Sequence, residues 1–333
     1  MTDSQRQCSL PGFEDEEDGS STSADARSRL NETRLNELST SDQQPTANEL
    51  PSPLANRTVW VIDGHSLIHQ VFHALPEMSS PRGEPVGAVF GFTRDMLYVL
   101  EEKRPDYLFC AFDLPGKTFR HAMYGEYKIQ RPAMDADLVP QIAAIRRVLP
   151  VLGITAVDRE SFEADDVMAT LARIVEELGG ECVLVTADKD CRQLITDRVR
   201  VYNIRKNEFI DREALRNDWG IAPEQVVDFQ ALVGDAVDNV PGVPKVGPKT
   251  ARQLLEEFGT LDAVLAHAGE VKGAKLKENL ATYREQALLS RELVRLDNRV
   301  PLTIDWNASR AGRIRLAAAV ALFRDFGFRG LTQ

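Results

Sequence analysis

Val59-Trp60-Val61-Ile62-Asp63-Gly64 is an unbroken apolar run that ends on an acid and a glycine. A strand with apolar residues at every position, rather than at every second one, is covered on both faces, as in a parallel sheet packed between helices. The same order of residues returns at Tyr107-Leu108-Phe109-Cys110-Ala111-Phe112-Asp113 and at Cys182-Val183-Leu184-Val185-Thr186, with Asp188 close behind. Strands are therefore expected at 58–62, 107–112, 182–186 and 199–204. Stretches with apolar residues near helical spacing lie at 86–102, 137–151, 164–178, 212–218, 223–232, 248–257, 261–267 and 283–296. Strands alternating with helices indicate an α/β fold with a mostly parallel central sheet flanked by helices. The sequence holds no internal repeat.

The acids are the second informative pattern. Asp63, Asp113, Glu163, Asp165, Asp166, Asp188, Asp190, Asp235 and Asp238 fall almost all where a strand ends or a helix begins. Ligand sites of parallel sheets lie beyond the carboxyl ends of the strands. Any one of these acids alone reads as an ordinary cap or loop residue. Taken together they do not, because two like charges about 4 Å apart cost about 4 kcal/mol at an effective dielectric near 20, so converging carboxylates need cations or retained protons. Ligation by carboxylates alone suits hard ions, Mg²⁺ or alternatively Mn²⁺, and not zinc. Two such ions about 4 Å apart would activate water and stabilise the leaving oxygen of a phosphodiester.

The formal charge of -11 argues against a nucleic-acid partner only until it is divided along the chain. Residues 1–56 carry 11 acids against 4 arginines, which leaves 40 acids against 36 bases beyond them. With the nine acids above set aside, that remainder is mildly basic and suited to phosphates. Residues 1–56 are polar, acidic and poor in aromatics, a composition expected to stay disordered. Within them Gln7-Cys8-Ser9-Leu10-Pro11-Gly12-Phe13 resembles the short Gln-x-x-Leu peptides with which bacterial replication proteins dock on the sliding clamp. Cys8, Cys110, Cys182 and Cys191 include no Cys-x-x-Cys pair and read as reduced, structural thiols. Neither a signal peptide nor an apolar run long enough to span a membrane is seen, and the expected location is cytoplasmic, on the nucleoid.

Two basic features complete the inventory. Gly242-Val243-Pro244-Lys245-Val246-Gly247-Pro248-Lys249-Thr250-Ala251 is a glycine-bounded turn running into a helix, with Pro248 suited to the first helical position. Free N–H groups there can meet a phosphate, Lys245 and Lys249 add charge, and the expected contact is of the helix-hairpin-helix type, without base reading. Lys117 to Arg131 interleaves cations with aromatics directly after Asp113, a pattern suited to single-stranded nucleic acid as well as to a solvated helix.

With these residues in hand the chain resembles the 5′ nuclease family of flap endonucleases, in particular the 5′-to-3′ exonuclease domain of bacterial DNA polymerase I. The resemblance rests on Val61-Ile62-Asp63-Gly64-His65, Phe112-Asp113, Thr118-Phe119-Arg120-His121, Tyr127-Lys128, Glu163-Ala164-Asp165-Asp166-Val167, Thr186-Ala187-Asp188-Lys189-Asp190 and the segment from Gly234 to Gly242, in that order. It implies a PIN-like core at 57–220 with a helical arch near 116–135, then a helix-hairpin-helix subdomain at 221–333. It further implies a metal-dependent exonuclease or flap endonuclease acting on DNA 5′ ends, flaps and primer junctions, in primer removal and repair. Asp63, Asp113, Glu163 and Asp165 would hold a first Mg²⁺. Asp188, Asp190 and Asp238 would form the second group, with Asp166 and Asp235 ordering water. Lys128 and Arg131 would act on the scissile phosphate. Arg120 and the hairpin residues Gly242, Val243, Lys245, Val246, Gly247, Lys249 and Thr250 would hold DNA, the hairpin also taking a K⁺ ion. His69-Gln70 departs from the Tyr-Arg common in the family, and the absence of a polymerase domain leads to the expectation of a stand-alone nuclease. The competing readings are a PIN-type ribonuclease, against which the hairpin and the long body argue, and a DNA-binding scaffold without catalysis, which would lack ligands.

Overall fold

The strand that ends at Asp63, β1 (Thr58–Asp63), lies inside the sheet, as its continuous apolar run requires. The computed structural model describes residues 54–332. With β2 (Tyr107–Ala111), β3 (Thr155–Val157), β4 (Glu181–Val185), β5 (Val199–Asn203) and β6 (Glu208–Ile210), the sheet runs β3-β2-β1-β4-β5-β6. All pairs are parallel except β5 with β6. β1 has β2 on one side and β4 on the other, so the chain changes direction across the sheet between β1 and β4. The crevice beyond the strand ends at such a switch point is where open α/β sheets bind ligands.

Side-chain alternation divides the interior in two. Val59 and Val61 of β1 point into one apolar cluster with Phe109, Leu184 and Val201, while Trp60 and Ile62 point into another with Leu108, Cys110, Val183 and Val185. Each fully buried side chain of this kind contributes roughly 1.5–3 kcal/mol relative to exposure. The first face is covered by the helix Ala164–Glu177 and by helices beyond residue 220, since the same cluster holds Val167, Leu171, Leu254, Leu255 and Val264. Residues on both sides of 220 therefore share one core.

In chain order the helices are α1 (Gly64–Ala74), α2 (Gly87–Tyr98), α3 (Phe119–Met123), α4 (Leu138–Val151), α5 (Ala164–Glu177), α6 (Arg212–Trp219), α7 (Val226–Val233), α8 (Pro248–Phe258), α9 (Leu261–Ala266), α10 (Ala274–Thr282), α11 (Arg284–Val294) and α12 (Leu316–Phe326). The periodicity-based expectations match α2, α4 to α9 and α11 within a few residues. The sequence reading gave no helix at α1, α10 or α12. For α1 the reason is Gly64, which reads as a tight exit from the strand. It is instead the first residue of the helix, and a Cβ there would lie 2.8 Å from the Ala111 carbonyl oxygen and 2.9 Å from the Phe112 ring. Glycine lets the helix start against β2.

The segment expected as a helical arch, 116–135, holds only the five-residue α3 and is otherwise built of turns. Its backbone is tied to the loop before the hairpin: Lys128 N–H donates to the Asp238 carbonyl at 2.9 Å, and Asn239 Nδ2 donates to the Glu126 carbonyl at 2.8 Å. Cys110, Cys182 and Cys191 are buried free thiols. Among the described residues no helix is long and apolar enough to cross a membrane. The acidic tail, Cys8 and the clamp-like peptide Gln7 to Phe13 lie outside the described residues.

Candidate metal centre

Asp63 closes β1 and caps α1 in one step. Its Oδ1 accepts the Ser66 N–H at 3.0 Å and its Oδ2 accepts the Thr186 hydroxyl at 2.7 Å, so the carboxylate is fixed before any ligand arrives. Asp113 stands two residues past β2 and accepts the Ala164 N–H at 2.7 Å, which anchors the start of α5 to the end of β2. Asp165, in the first turn of α5, and Asp188, past β4, complete the set. All four line one cavity of about 470 Å³ together with Lys128, Arg131, His65 and His69. Folding thus brings together acids that lie 125 positions apart in sequence, from Asp63 to Asp188.

The electrostatics show what this convergence costs. Burial, with smaller contributions from Asp113 and Asp188, pushes the Asp63 carboxyl up to about 7, against the pull of its two hydrogen bonds. Asp190 is likewise pushed up to about 7, by burial and then by the charge of Asp188. Asp188 is raised by burial and by Asp238, and Asp165 well above the usual range by burial and then by Asp188, Asp63, Asp113 and Asp190. Asp165 accepts a hydrogen bond from the Cys191 thiol at 3.4 Å, a weak donor whose own pKa burial and these acids push up. Buried carboxylates without cationic partners retain protons or take up a metal ion. Among the described residues no three His, Cys, Asp or Glu side chains close on one point as a finished coordination shell. The donor set is nevertheless all oxygen and negatively charged, which fits hard divalent cations.

The other acids are already engaged. Glu163 meets Lys128 Nζ at 2.9 Å, the Tyr127 hydroxyl at 3.2 Å and Arg120 Nη1 at 3.5 Å. Asp238 meets Arg131 Nε at 3.0 Å and Lys128 Nζ at 3.7 Å. Burial works against the charge of Lys128, but Glu163 and Asp238 hold its pKa above the ordinary value. Lys128 has φ 57°, a left-handed backbone that a side chain other than Asn, Asp or Gly rarely adopts, and such positions concentrate at functional sites. The two cations expected to act on the phosphate therefore stand in the cavity, held by the acids nearest to it. Asp190 is held by the side-chain amide of Gln230. Asp235 pairs with Lys189 at 2.8 Å, and this pairing together with the Val237 N–H lowers its pKa despite burial.

Two expectations are corrected. Asp166 was assigned to the metal site, but all of its accepting capacity is used. Arg120 reaches both oxygens, at 2.7 and 2.8 Å, the Glu163 N–H reaches Oδ2 at 3.0 Å, and the Asp297 N–H reaches Oδ1 at 2.8 Å. Arg120 was assigned to DNA, but its side chain is 1 % exposed, with Nε on the Leu293 carbonyl and Nη2 on that of Arg295. Of the aromatics in the interleaved stretch, Tyr127 is buried while Phe119 and Tyr124 are half-buried, and Met123, Ile129 and, just beyond, Met134 are exposed.

At the hairpin, Val243 and Val246 are core residues, and their N–H groups are bound to the Leu232 and Val243 carbonyls. The Gly242 N–H donates to Ser290 Oγ at 3.1 Å. None of the three can offer an N–H to a phosphate. Gly242 serves a different need: its φ is 61°, and a Cβ there would come within 2.5 Å of the Gly234 nitrogen, so the two glycines pack the loop carrying Asp235 and Asp238 against itself. Gly247, which precedes α8 with no side-chain cap, and the first-turn residues Lys249 and Thr250 have no acceptor within the helix for their N–H groups, and the Lys245 and Lys249 side chains are exposed.

Sequence reasoning passed over Thr186, Tyr127 and Gln230 as parts of the site. Thr186 and Tyr127 lay inside quoted motifs. Gln230 was detectable as a lone amide in the apolar helix Val226–Val233, and its 4 % exposure leaves Oε1 without a hydrogen-bond partner among the described residues.

Comparison with known proteins identifies the family. A family model described as 5′-3′ exonuclease, N-terminal resolvase-like domain, matches residues 58–220, and one described as 5′-3′ exonuclease, C-terminal SAM fold, matches residues 221–316. DNA polymerase I of Rhizobium leguminosarum is 41% identical over 258 residues, covering 75% of this chain and 25% of that protein. DNA polymerase I of Bacillus subtilis is 37% identical over 277 residues, covering 82% of this chain and 32% of that protein. The chain thus spans a quarter to a third of the length of these relatives. Among solved structures, the flap endonuclease of bacteriophage T5, in a pseudo-enzyme-product complex with DNA and metal ions, superposes with a TM-score of 0.64 at 18% identity, covering 81% of this chain and 100% of that one. The chain belongs to the 5′-3′ exonuclease family, with its resolvase-like domain followed by its C-terminal helical fold.

Proposed function

We propose that this chain hydrolyses phosphodiesters of DNA at 5′ ends and 5′ flaps, in the service of primer removal and repair, with Mg²⁺ as the working metal and Mn²⁺ as a substitute. The observation that carries the proposal is the cavity at the ends of β1, β2 and β4, where Asp63, Asp113, Asp165 and Asp188 face Lys128 and Arg131. Asp63, Asp113, Glu163 and Asp165 would hold one ion and Asp188, Asp190 and Asp238 a second. Bound there, the ions would supply an activated water and Lewis acidity at the leaving oxygen.

The chain's own residues supply the rest. Ser66 N–H and Thr186 aim Asp63, and Gln230 aims Asp190. Lys128 and Arg131 leave Glu163 and Asp238 for the scissile phosphate, where their charge offsets the negative charge that develops during cleavage. At the hairpin, Lys245, Gly247, Lys249 and Thr250 hold the duplex backbone without reading its bases, and a K⁺ ion among the turn carbonyls would strengthen that contact.

The test offers a labelled 5′-flap duplex to the wild type and to Asp188→Ala, with Mg²⁺ or with chelator. Short 5′ products should form only with metal and only in the wild type, while duplex binding persists in the variant. Preferential cleavage of single-stranded RNA, or binding without any cleavage, would overturn the assignment.

A further inference from the structure

His65, His69 and His73 recur every four residues along α1, on one face of the helix. The chain has five histidines, and three of them have ring nitrogens in use. His65 Nδ1 accepts the Asp113 N–H at 3.2 Å, His121 Nδ1 accepts the Thr118 N–H at 3.1 Å, and His267 Nδ1 lies 2.8 Å from Glu270. His69 and His73 are exposed, and among the described residues neither has a hydrogen-bonded or ionic partner on its ring. Their rings lie nearly parallel, 23° apart in plane, with centroids 6.3 Å apart.

Imidazoles at positions i and i+4 of a helix form a known two-point grip on a borderline metal ion. Zn–N bonds of about 2.0 Å in a tetrahedral arrangement set the two nitrogens about 3.3 Å apart. Exposed rings one turn apart, with Cβ atoms about 5–6 Å from each other, reach that spacing by side-chain rotation alone. His69 also lines the acidic cavity, whose carboxylates raise the local concentration of cations, while Arg131 opposes this from the same wall. Partial desolvation of its ring against the cavity wall, then the charges of His73 and Arg131, lower the pKa of His69, which favours the neutral, metal-binding imidazole.

We propose that His69 and His73 form a bis-histidine site for a borderline divalent cation such as Zn²⁺ or Ni²⁺, on the wall of the acidic cavity and separate from its carboxylates. Water fills the remaining positions of the ion. The two sites differ in kind, since imidazole selects zinc, nickel and copper while the carboxylates select magnesium and manganese.

Untagged protein saturated with Mg²⁺ is titrated with Ni²⁺ by calorimetry, alongside His69→Ala, His73→Ala and Asp165→Asn, with folding checked by circular dichroism. The wild type should bind one Ni²⁺, each histidine variant should lose at least about tenfold in affinity, and Asp165→Asn should retain it. As a second readout, one equivalent of Cu²⁺ should show nitrogen superhyperfine structure by electron paramagnetic resonance, lost in His73→Ala. Ni²⁺ affinity unchanged in both histidine variants, or lost in Asp165→Asn instead, would overturn the site.

Discussion

Arg120 and Asp166 form a two-pronged ion pair, Nη1 to Oδ2 at 2.7 Å and Nη2 to Oδ1 at 2.8 Å, with neither side chain reaching solvent. Through it the start of α3 is fastened to the first turn of α5, and through the Leu293 and Arg295 carbonyls to the end of α11. Taking one partner from a buried pair strands a charge, at a cost of about 3–5 kcal/mol. Arg120→Ala and Asp166→Ala should each lose that much in urea unfolding, and Arg120→Met/Asp166→Leu should lose less than either. An Arg120→Ala protein of full stability but weakened DNA binding would return Arg120 to the phosphate backbone.

Lys128 occupies ground that a metal and a phosphate would contest. Its removal should act in two directions at once. Lys128→Met should slow flap cleavage by about 10²-fold, the scale of losing one aimed donor. It should also lower the Mg²⁺ concentration giving half the maximal rate, because Glu163 and Asp238 lose an internal cation. Cleavage rates measured across a Mg²⁺ series separate the two effects, and a raised Mg²⁺ requirement would contradict the reading.

The raised carboxyls predict an inverted pH dependence for the metal-free protein. Asp63 and Asp190 titrate near 7 when folded and near the usual 3.8 when unfolded, so between these values the folded state holds more protons. Their stabilising contribution is complete below about pH 4 and is lost as pH rises through 7. The loss is roughly 4 kcal/mol if one group alone carries its full shift. Thermal unfolding in chelator should therefore show a lower midpoint at pH 8 than at pH 6, and Mg²⁺ should restore more at pH 8, where no proton competes with it. A metal-free protein equally stable at both values would contradict the protonated pocket.

At the hairpin, the charge and the free N–H groups make separable contributions. Lys249→Ala should weaken duplex binding uniformly across sequences and reduce the slope of log affinity against log salt by about 1. Val243→Ala, a change in the core, should lower stability instead and leave that slope unchanged. Equal slopes for Lys249→Ala and wild type would remove Lys249 from the interface.

The sheet was legible because β1, β2 and β4 each carry an unbroken apolar run, at 59–62, 107–111 and 182–185, and the strand order then put Asp63 and Asp188 at the switch point. The acids were legible as a group because of where they fall relative to the strands. Their individual roles were not. Asp165 and Asp166 are neighbours in sequence, but successive helical residues point about 100° apart, so one faces the cavity and the other Arg120. Arg120 looked like a surface cation because nothing local marks a charge whose partners lie 46 and 173 positions away. Val243 and Val246 read as part of a phosphate-binding turn, but the turn has an inner side that belongs to the core.

The proposed chemistry requires that the pocket of Asp63, Asp113, Asp165 and Asp188 binds cations. Electron paramagnetic resonance of metal-free protein titrated with Mn²⁺ counts the bound ions, with Asp165→Asn beside the wild type. Two tightly bound ions are expected per wild-type chain and fewer in Asp165→Asn, with the fold intact. Wild-type protein that binds no Mn²⁺, or an Asp165→Asn protein that binds as much as wild type, would contradict it.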